Sequence, residues 1–175
     1  MKIGLIRHFK VVQPRPSKFF IPKSEVLEWF DAYNTAGVHA NPLDLSGHDW
    51  AKCYSSPMTR ALTTAQTIYP GQIMEMPALV ELNTLSLLPD TIPLPHTAWA
   101  LMLRHKSLQK NELTNAFKAK LEDFVASQLS QAQENTLIVS HGFTMKYLHE
   151  ILFQHGYKGP KLHYPQNGKL YLYER

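Results

Sequence analysis

Short apolar runs alternate along the chain with longer stretches of helical periodicity, a pattern typical of an α/β layer fold. Two of the runs, residues 3–6 and Thr136–Ser140, are apolar almost throughout, as expected for strands buried inside a sheet. Weaker runs predict further strands at residues 53–55, 73–76 and 170–173. Two proline-rich stretches, residues 9–23 and 84–95, are predicted to be irregular excursions from the core.

Apolar residues at helical spacing predict the helices between these strands. Ser24 and Ser46 stand where an N-cap is expected, Pro57 suits the first turn of a helix, and Gly37 suits a helix end. The predicted helices cover residues 25–36, 46–52, 56–68, 96–106, 112–132 and 143–155.

The composition describes a folded protein with a mild positive charge. The chain has 175 residues, of which 44% are hydrophobic and 18% are charged, so we predict a single domain over residues 1–175. The formal charge is +4, which suits a small anionic substrate. No block of like charges is present, so a nucleic-acid partner is not expected.

The sequence has one cysteine, Cys53, which excludes an intrachain disulfide and a zinc cluster of several thiolates. We expect Cys53 to be a buried, inert thiol. No apolar run reaches the ~20 residues of a membrane span or the ~7–15 residues of a signal-peptide core. The sequence therefore predicts a cytoplasmic protein without a membrane partner.

The candidate catalytic residues lie at the ends of the predicted strands. His8 directly follows the first strand and Arg7, and His141 directly follows the strand Thr136–Ser140. The carboxyl ends of parallel strands meet at one edge of a sheet, where ligands bind. Arg60 lies in the first turn of a predicted helix, where the free N–H groups favour an anion and where its planar group can bind phosphoryl oxygens.

Three segments carry a family resemblance: Leu5-Ile6-Arg7-His8, residues 55–65, and Val139-Ser140-His141-Gly142. They resemble the signature segments of the histidine phosphatase superfamily, the phosphoglycerate mutase-like proteins, in order and approximate spacing. The resemblance implies a three-layer α/β/α sandwich with a mixed, mainly parallel sheet. It also implies a phosphatase that acts on a small phosphorylated substrate without a metal or another cofactor.

The resemblance assigns a role to each matching residue. His8 would be the nucleophile that becomes phosphohistidine, and Arg7, Arg60 and His141 would hold the phosphoryl oxygens. Glu81 occupies the place of the acid that protonates the leaving oxygen and later activates water. Glu75 is the rival for that role.

The chain departs from the family pattern in two places. Phe9 replaces the usual glycine after the nucleophile and is expected to narrow or reshape the mouth of the site. Residues 82–85, after Glu81, lack the usual aromatic and glycine residues. His96 is a further candidate for lining the mouth, whereas Phe19 and Phe20 either contact the substrate or pack the first excursion.

Two alternative functions stay open from the sequence. One is a phosphosugar mutase of the same family, which the chain's short length disfavours. The other is a non-catalytic anion-binding or interaction module, which Phe9 favours and the complete set of His8, Arg7, Arg60 and His141 disfavours. The sequence leaves the substrate and the oligomeric state undetermined.

Overall fold

The centre of the structure, a computed structural model that describes residues 1–90, 92–129 and 133–175, is a five-stranded sheet between helices. Within these residues the strands are β1 (Lys2–Arg7), β2 (Lys10–Val11), β3 (Phe20–Ile21), β4 (Val38–His39), β5 (Lys52–Ser55), β6 (Ile73–Glu75), β7 (Leu94–Pro95), β8 (Thr136–Ser140) and β9 (Leu170–Glu174). The α-helices are α1 (Lys23–Thr35), α2 (Thr59–Ile68), α3 (His96–Leu108), α4 (Glu112–Phe124) and α5 (Gly142–Gln154).

The central sheet has the strand order β6–β5–β8–β1–β9. β1 pairs in parallel with β8, and β5 pairs in parallel with β8 and β6, whereas β9 runs antiparallel to β1. The predicted mixed, mainly parallel sheet is confirmed. Each of its strands lies within one residue of the predicted range.

Alternate side chains of the central strands enter separate cores, because successive side chains of a strand point to opposite faces. Ile3 and Leu5 pack in a cluster with residues of α4 and α5. Ile6 packs in a second cluster with Ala61 and Ala65 of α2. Helices therefore cover both faces of the sheet, and the predicted three-layer sandwich is confirmed.

The two proline-rich excursions join each other beside this sandwich. Their short strands β3 and β7 pair antiparallel, and the pair closes over a third apolar cluster that includes Ile21, Leu88 and Trp99. Trp99 Nε1 also donates a hydrogen bond to the backbone oxygen of Ile21 at 2.9 Å. The pairing of β3 with β7, which was not predicted, thus orders the two excursions. Residue 91 of the range 84–95 lies outside the described residues.

The helix predicted from Ser46 is wrong. The backbone N–H of Ser46 donates to Asp44 Oδ1 at 2.8 Å, and Gly47 has a φ of +81°, so the chain makes a turn instead. The predicted cap Ser24 is also wrong, because α1 already begins at Lys23.

Other helix ends differ by a few residues from the predicted ones. α2 begins at Thr59 rather than Ser56, and α4 ends at Phe124, followed by a π-helical turn over Val125–Leu129. Residues 130–132 of the predicted helix 112–132 lie outside the described residues. No helix in the described ranges combines the length and the apolar character needed to cross a membrane.

Cys53 lies in β5 with its side chain fully buried, as predicted. Burial raises the pKa of this thiol to about 12, so the reactive thiolate does not form near neutral pH.

Candidate active site

His8 directly follows β1, and hydrogen bonds hold its backbone on both sides. Its N–H donates to the Ser140 oxygen at 2.9 Å, and Asn167 Nδ2 donates to the His8 oxygen at 2.7 Å. The ring atom Nδ1 lies 2.7 Å from the backbone oxygen of Phe9. Because a carbonyl oxygen only accepts hydrogen bonds, Nδ1 carries the ring proton, and Nε2 keeps a free lone pair.

The environment keeps the His8 ring neutral. The residue is 1% exposed. Burial, reinforced by the positive charges of Arg60 and Arg7, lowers the pKa of His8 from 6.5 to about 3 despite the hydrogen bond to Phe9. At neutral pH the ring is therefore an uncharged nucleophile, and no base is required to remove a proton from Nε2.

His141 occupies the N-cap position of α5, and its ring centroid lies 5.2 Å from that of His8. Its Nε2 lies 2.8 Å from Ser56 Oγ, which also accepts the N–H of Met58 at 3.3 Å. The Ser56 hydroxyl can therefore donate its own proton to Nε2 of His141. The ring proton of His141 then lies on Nδ1, which can donate a hydrogen bond. Burial, with Arg60, His8 and Arg7, holds the pKa of His141 well below its usual range.

Arg60 is the second residue of α2 and is 4% exposed. Its Nη1 donates to Asn34 Oδ1 at 2.9 Å, and its guanidinium carbon lies 5.0 Å from the centroid of the Tyr33 ring. Both partners are uncharged and both belong to α1. α1 therefore orients the guanidinium without neutralising it.

Arg7 is held by the segment that precedes β9. Its Nη1 donates to the backbone oxygen of Pro165 at 2.9 Å, and its guanidinium carbon lies 5.6 Å from the centroid of the Tyr164 ring. As for Arg60, these contacts fix the direction of the group but leave its charge free to act on a ligand.

Three buried donors at this edge have no hydrogen-bond partner among the described residues: Arg7 Nε, Arg60 Nε and His141 Nδ1. A buried donor without an acceptor costs about 1–3 kcal/mol, so such atoms are rare in folded proteins. A phosphoryl group supplies several acceptor oxygens and a negative charge. The cluster around His8 therefore has the chemistry of an anion site.

Glu81 reaches the same cluster from the segment that follows β6. Its Oε1 accepts the N–H of Phe143 in the first turn of α5 at 3.3 Å. Burial raises the pKa of Glu81, and Arg7, Arg60 and the α5 amides oppose this rise only in part. A carboxyl group that holds its proton more strongly than usual suits a general acid.

Two cavities meet at Glu81. One, of about 480 Å³, opens beside Arg7 between α3 and α5 and is named here the α3–α5 cavity. The other, of about 250 Å³, opens beside Arg60. Glu81, Phe30 and Phe143 line both cavities.

The expectation that Phe9 narrows the mouth is wrong. Its side chain is fully buried and packs against Gly168, where an added Cβ would lie 2.9 Å from Phe9 Cδ1. Gly168 has a φ of +62°, which glycine adopts without strain. The ring is thus buried and lines neither of the two cavities beside Glu81.

The other sequence candidates lie farther out. Glu75, the rival acid, is exposed on β6 and lines neither cavity beside Glu81. His96 lines a neighbouring cavity of about 300 Å³ that does not include Glu81. Phe19 and Phe20 are 61% and 59% exposed, so the first excursion does not bury them.

Several positioning residues escaped the sequence reasoning. Asn34 and Tyr33 hold Arg60, Tyr164 holds Arg7, and Asn167 holds His8. Only a pattern of polar and aromatic residues at the ends of predicted elements could have pointed to them. Within the ranges that the structure describes, no group of three or more His, Cys, Asp or Glu side chains is placed to hold a metal ion.

Comparisons with known proteins identify the family, although the family model does not reach the first strand. The family model of the histidine phosphatase superfamily (branch 1) matches residues 38–175. No curated protein matches the sequence.

Solved structures share the fold at low identity. YhfR from Bacillus stearothermophilus is 19% identical, with a TM-score of 0.56 over 98% of this chain and 89% of its own. A variant of TTHB049 from Thermus thermophilus is 15% identical, with a TM-score of 0.53 over 98% and 92%. The ecdysone phosphate phosphatase from Bombix mori, in complex with tungstate, is 14% identical, with a TM-score of 0.51 over 87% and 77%.

Proposed function

The chain belongs to the histidine phosphatase superfamily, and we propose that it hydrolyses a small phosphate monoester through a phosphohistidine on His8. The observation that carries this proposal is the neutral, proton-free Nε2 of His8 beside three buried donors that have no hydrogen-bond partner in the described part of the chain. A nucleophile and an anion site in one cluster are the two parts that phosphoryl transfer requires.

In the first step Nε2 of His8 attacks phosphorus while the bond from phosphorus to the ester oxygen breaks. The leaving oxygen takes the proton of Glu81, so it departs as an alcohol. Arg7, Arg60 and His141 donate to the equatorial oxygens, where charge spreads in the transition state. The charge of the guanidinium groups serves this purpose without a metal ion.

In the second step the ionised Glu81 takes a proton from water. The water oxygen attacks the phosphorus of phosphohistidine, which releases inorganic phosphate and restores the lone pair on Nε2. Glu81 thereby regains the proton that it gave in the first step. The electrostatic effect of Arg7 and Arg60 on Glu81 supports both roles, since their charges stabilise its ionised form between the two steps.

The fold neighbour from Bombix mori adds modest support. It is an ecdysone phosphate phosphatase solved with tungstate, an oxyanion that resembles phosphate. We propose the same class of reaction for this chain, with its own substrate.

The test is a panel of phosphate monoesters, with release of inorganic phosphate as the readout. Wild-type protein should hydrolyse at least one ester, and His8→Ala should reduce the rate to background. His105→Ala, which changes an exposed histidine on α3, should keep the wild-type rate. Thermal unfolding of each variant checks that it is folded.

Two results would contradict the proposal. One is a folded His8→Ala protein that retains wild-type activity. The other is wild-type protein that releases no phosphate from any ester. Isomerisation of a phosphosugar without phosphate release would indicate a mutase instead.

A further inference from the structure

The α3–α5 cavity carries positive charge beyond what the phosphoryl pocket uses. Arg104 of α3 and Lys146 of α5 line it, and Glu81 is its acidic residue. Neither Arg104 nor Lys146 forms an ion pair among the described residues. The charges that act on the Glu81 carboxyl group are those of Arg7 and Arg60, not those of Arg104 and Lys146.

Tyr164 links this charge to the phosphoryl pocket. Its ring centroid lies 5.6 Å from the guanidinium carbon of Arg7 and 5.8 Å from that of Arg104. The two guanidinium carbons are therefore separated by no more than the sum of these distances. A small molecule bound through its phosphoryl group at Arg7 can reach Arg104 with its far end.

The walls between the two charged ends are apolar. Leu101 and Leu108 of α3 line the cavity although they are 68% and 42% exposed, and Phe30 and Phe143 also line it. Exposed leucines beside a catalytic cluster indicate a surface that an organic group covers.

We propose that the α3–α5 cavity is a leaving-group subsite that selects phosphate monoesters with an apolar body and a second anionic group. The leucines and phenylalanines contact the body, and Arg104 and Lys146 bind the second anion, either a carboxylate or a phosphate. This inference rests on the proposed phosphatase function, because the phosphoryl group must lie at His8 for the leaving group to enter the cavity.

The kinetic test compares phenyl phosphate with 4-carboxyphenyl phosphate and 4-phosphonophenyl phosphate. Wild-type protein should prefer the anionic esters in kcat/KM by about tenfold or more, since a charge-assisted contact that is partly desolvated is worth a factor of this size. Arg104→Gln and Lys146→Gln should each reduce the preference, and the double variant should abolish it. The larger of the two preferences identifies the anionic group.

Lys106→Gln is the matched control, because Lys106 also belongs to α3 but does not line the cavity. It removes the same charge and should keep the preference. A wild-type preference near one, or a preference that survives in the double variant, would overturn the subsite while leaving phenyl phosphate hydrolysis as evidence for the phosphatase.

Equilibrium binding separates the two proposals if no ester is hydrolysed. Calorimetry with phenylphosphonate and 4-phosphonobenzoate measures the subsite without turnover. Tighter binding of 4-phosphonobenzoate that is lost in the double variant supports the subsite, and equal affinities overturn it. Absence of hydrolysis in the same protein would count against the phosphatase alone.

Discussion

Replacing His8 with asparagine tests whether the buried imidazole is neutral. Burial, with Arg60 and Arg7, lowers the pKa of His8 to about 3 from 6.5. Between these two pH values, His8 is therefore protonated in the unfolded chain but not in the folded chain. The stability contributed by the neutral ring is complete above pH 6.5 and is lost as the pH falls toward 3. Each pH unit in this window removes about 1.4 kcal/mol, and the whole window roughly 5 kcal/mol.

The assay is urea unfolding at several pH values between about 4.5 and 6, where most of this linkage operates. The amide of asparagine can still donate to the Phe9 oxygen, but it does not ionise. In His8→Asn the slope of the unfolding free energy against pH should fall by about 1.4 kcal/mol per pH unit, which corresponds to one proton. The buried His141 should maintain the remaining slope, since its pKa is lowered in the same direction.

Asn167→Ala is the control for general destabilisation. It removes the hydrogen bond to the His8 oxygen but no ionisable group, so it should lower the unfolding free energy at every pH without changing the slope. A slope in His8→Asn equal to that of wild-type protein would refute the reasoning, because it would mean that His8 binds its proton equally well in both states.

Three further outcomes are expected. Glu81→Gln should slow alkyl phosphates by about 10²–10⁴-fold and nitrophenyl phosphate far less, because nitrophenolate leaves without a proton; equal losses would place the acid elsewhere. Activity should persist in excess chelator and should fall with vanadate, because guanidinium and imidazole donors bind the phosphoryl group. Loss of activity in chelator, followed by its recovery on adding zinc or magnesium, would contradict this. Gly168→Ala should lower the unfolding free energy by about 1–3 kcal/mol, because its φ is +62° and an added Cβ would meet Phe9; an unchanged urea midpoint would contradict the packing.

The strands and the reactive cluster could be predicted because local signals determine them. β1 and β8 are apolar runs that end in polar residues, and two parallel strands in register bring Arg7 beside Ser140. The proximity of His8 and His141 then follows, because each residue directly follows one of these two strands. The first turn of α2 likewise follows from the sequence, so Arg60 could be assigned to the same edge.

The remaining features depend on partners far along the chain. The Phe9 ring is buried because Gly168 leaves room for it. The sequence around Phe9 gives no signal that a glycine far along the chain lies against it. The pairing of β3 with β7 joins two-residue strands more than 70 positions apart, too short for a periodic pattern. The contact of Tyr164 with both Arg7 and Arg104 is equally nonlocal.

The failed helix at Ser46 has a local cause of a different kind. Serine is a good helix cap, but its neighbour Gly47 adopts a positive φ, and Asp44 accepts the Ser46 N–H in a turn. The same residue types signal a cap and a turn. Only the surrounding structure selects between them.

The most direct test of the central claim is to locate the phosphoryl group on the enzyme during turnover. Protein mixed with a rapidly hydrolysed ester and quenched in base should carry an acid-labile phosphate on the peptide that contains His8. Phosphorus NMR should place it on Nε2, because Nδ1 is occupied by its proton and the Phe9 oxygen. Phosphate on Nδ1, on another residue, or on no residue at all while hydrolysis proceeds would contradict the account.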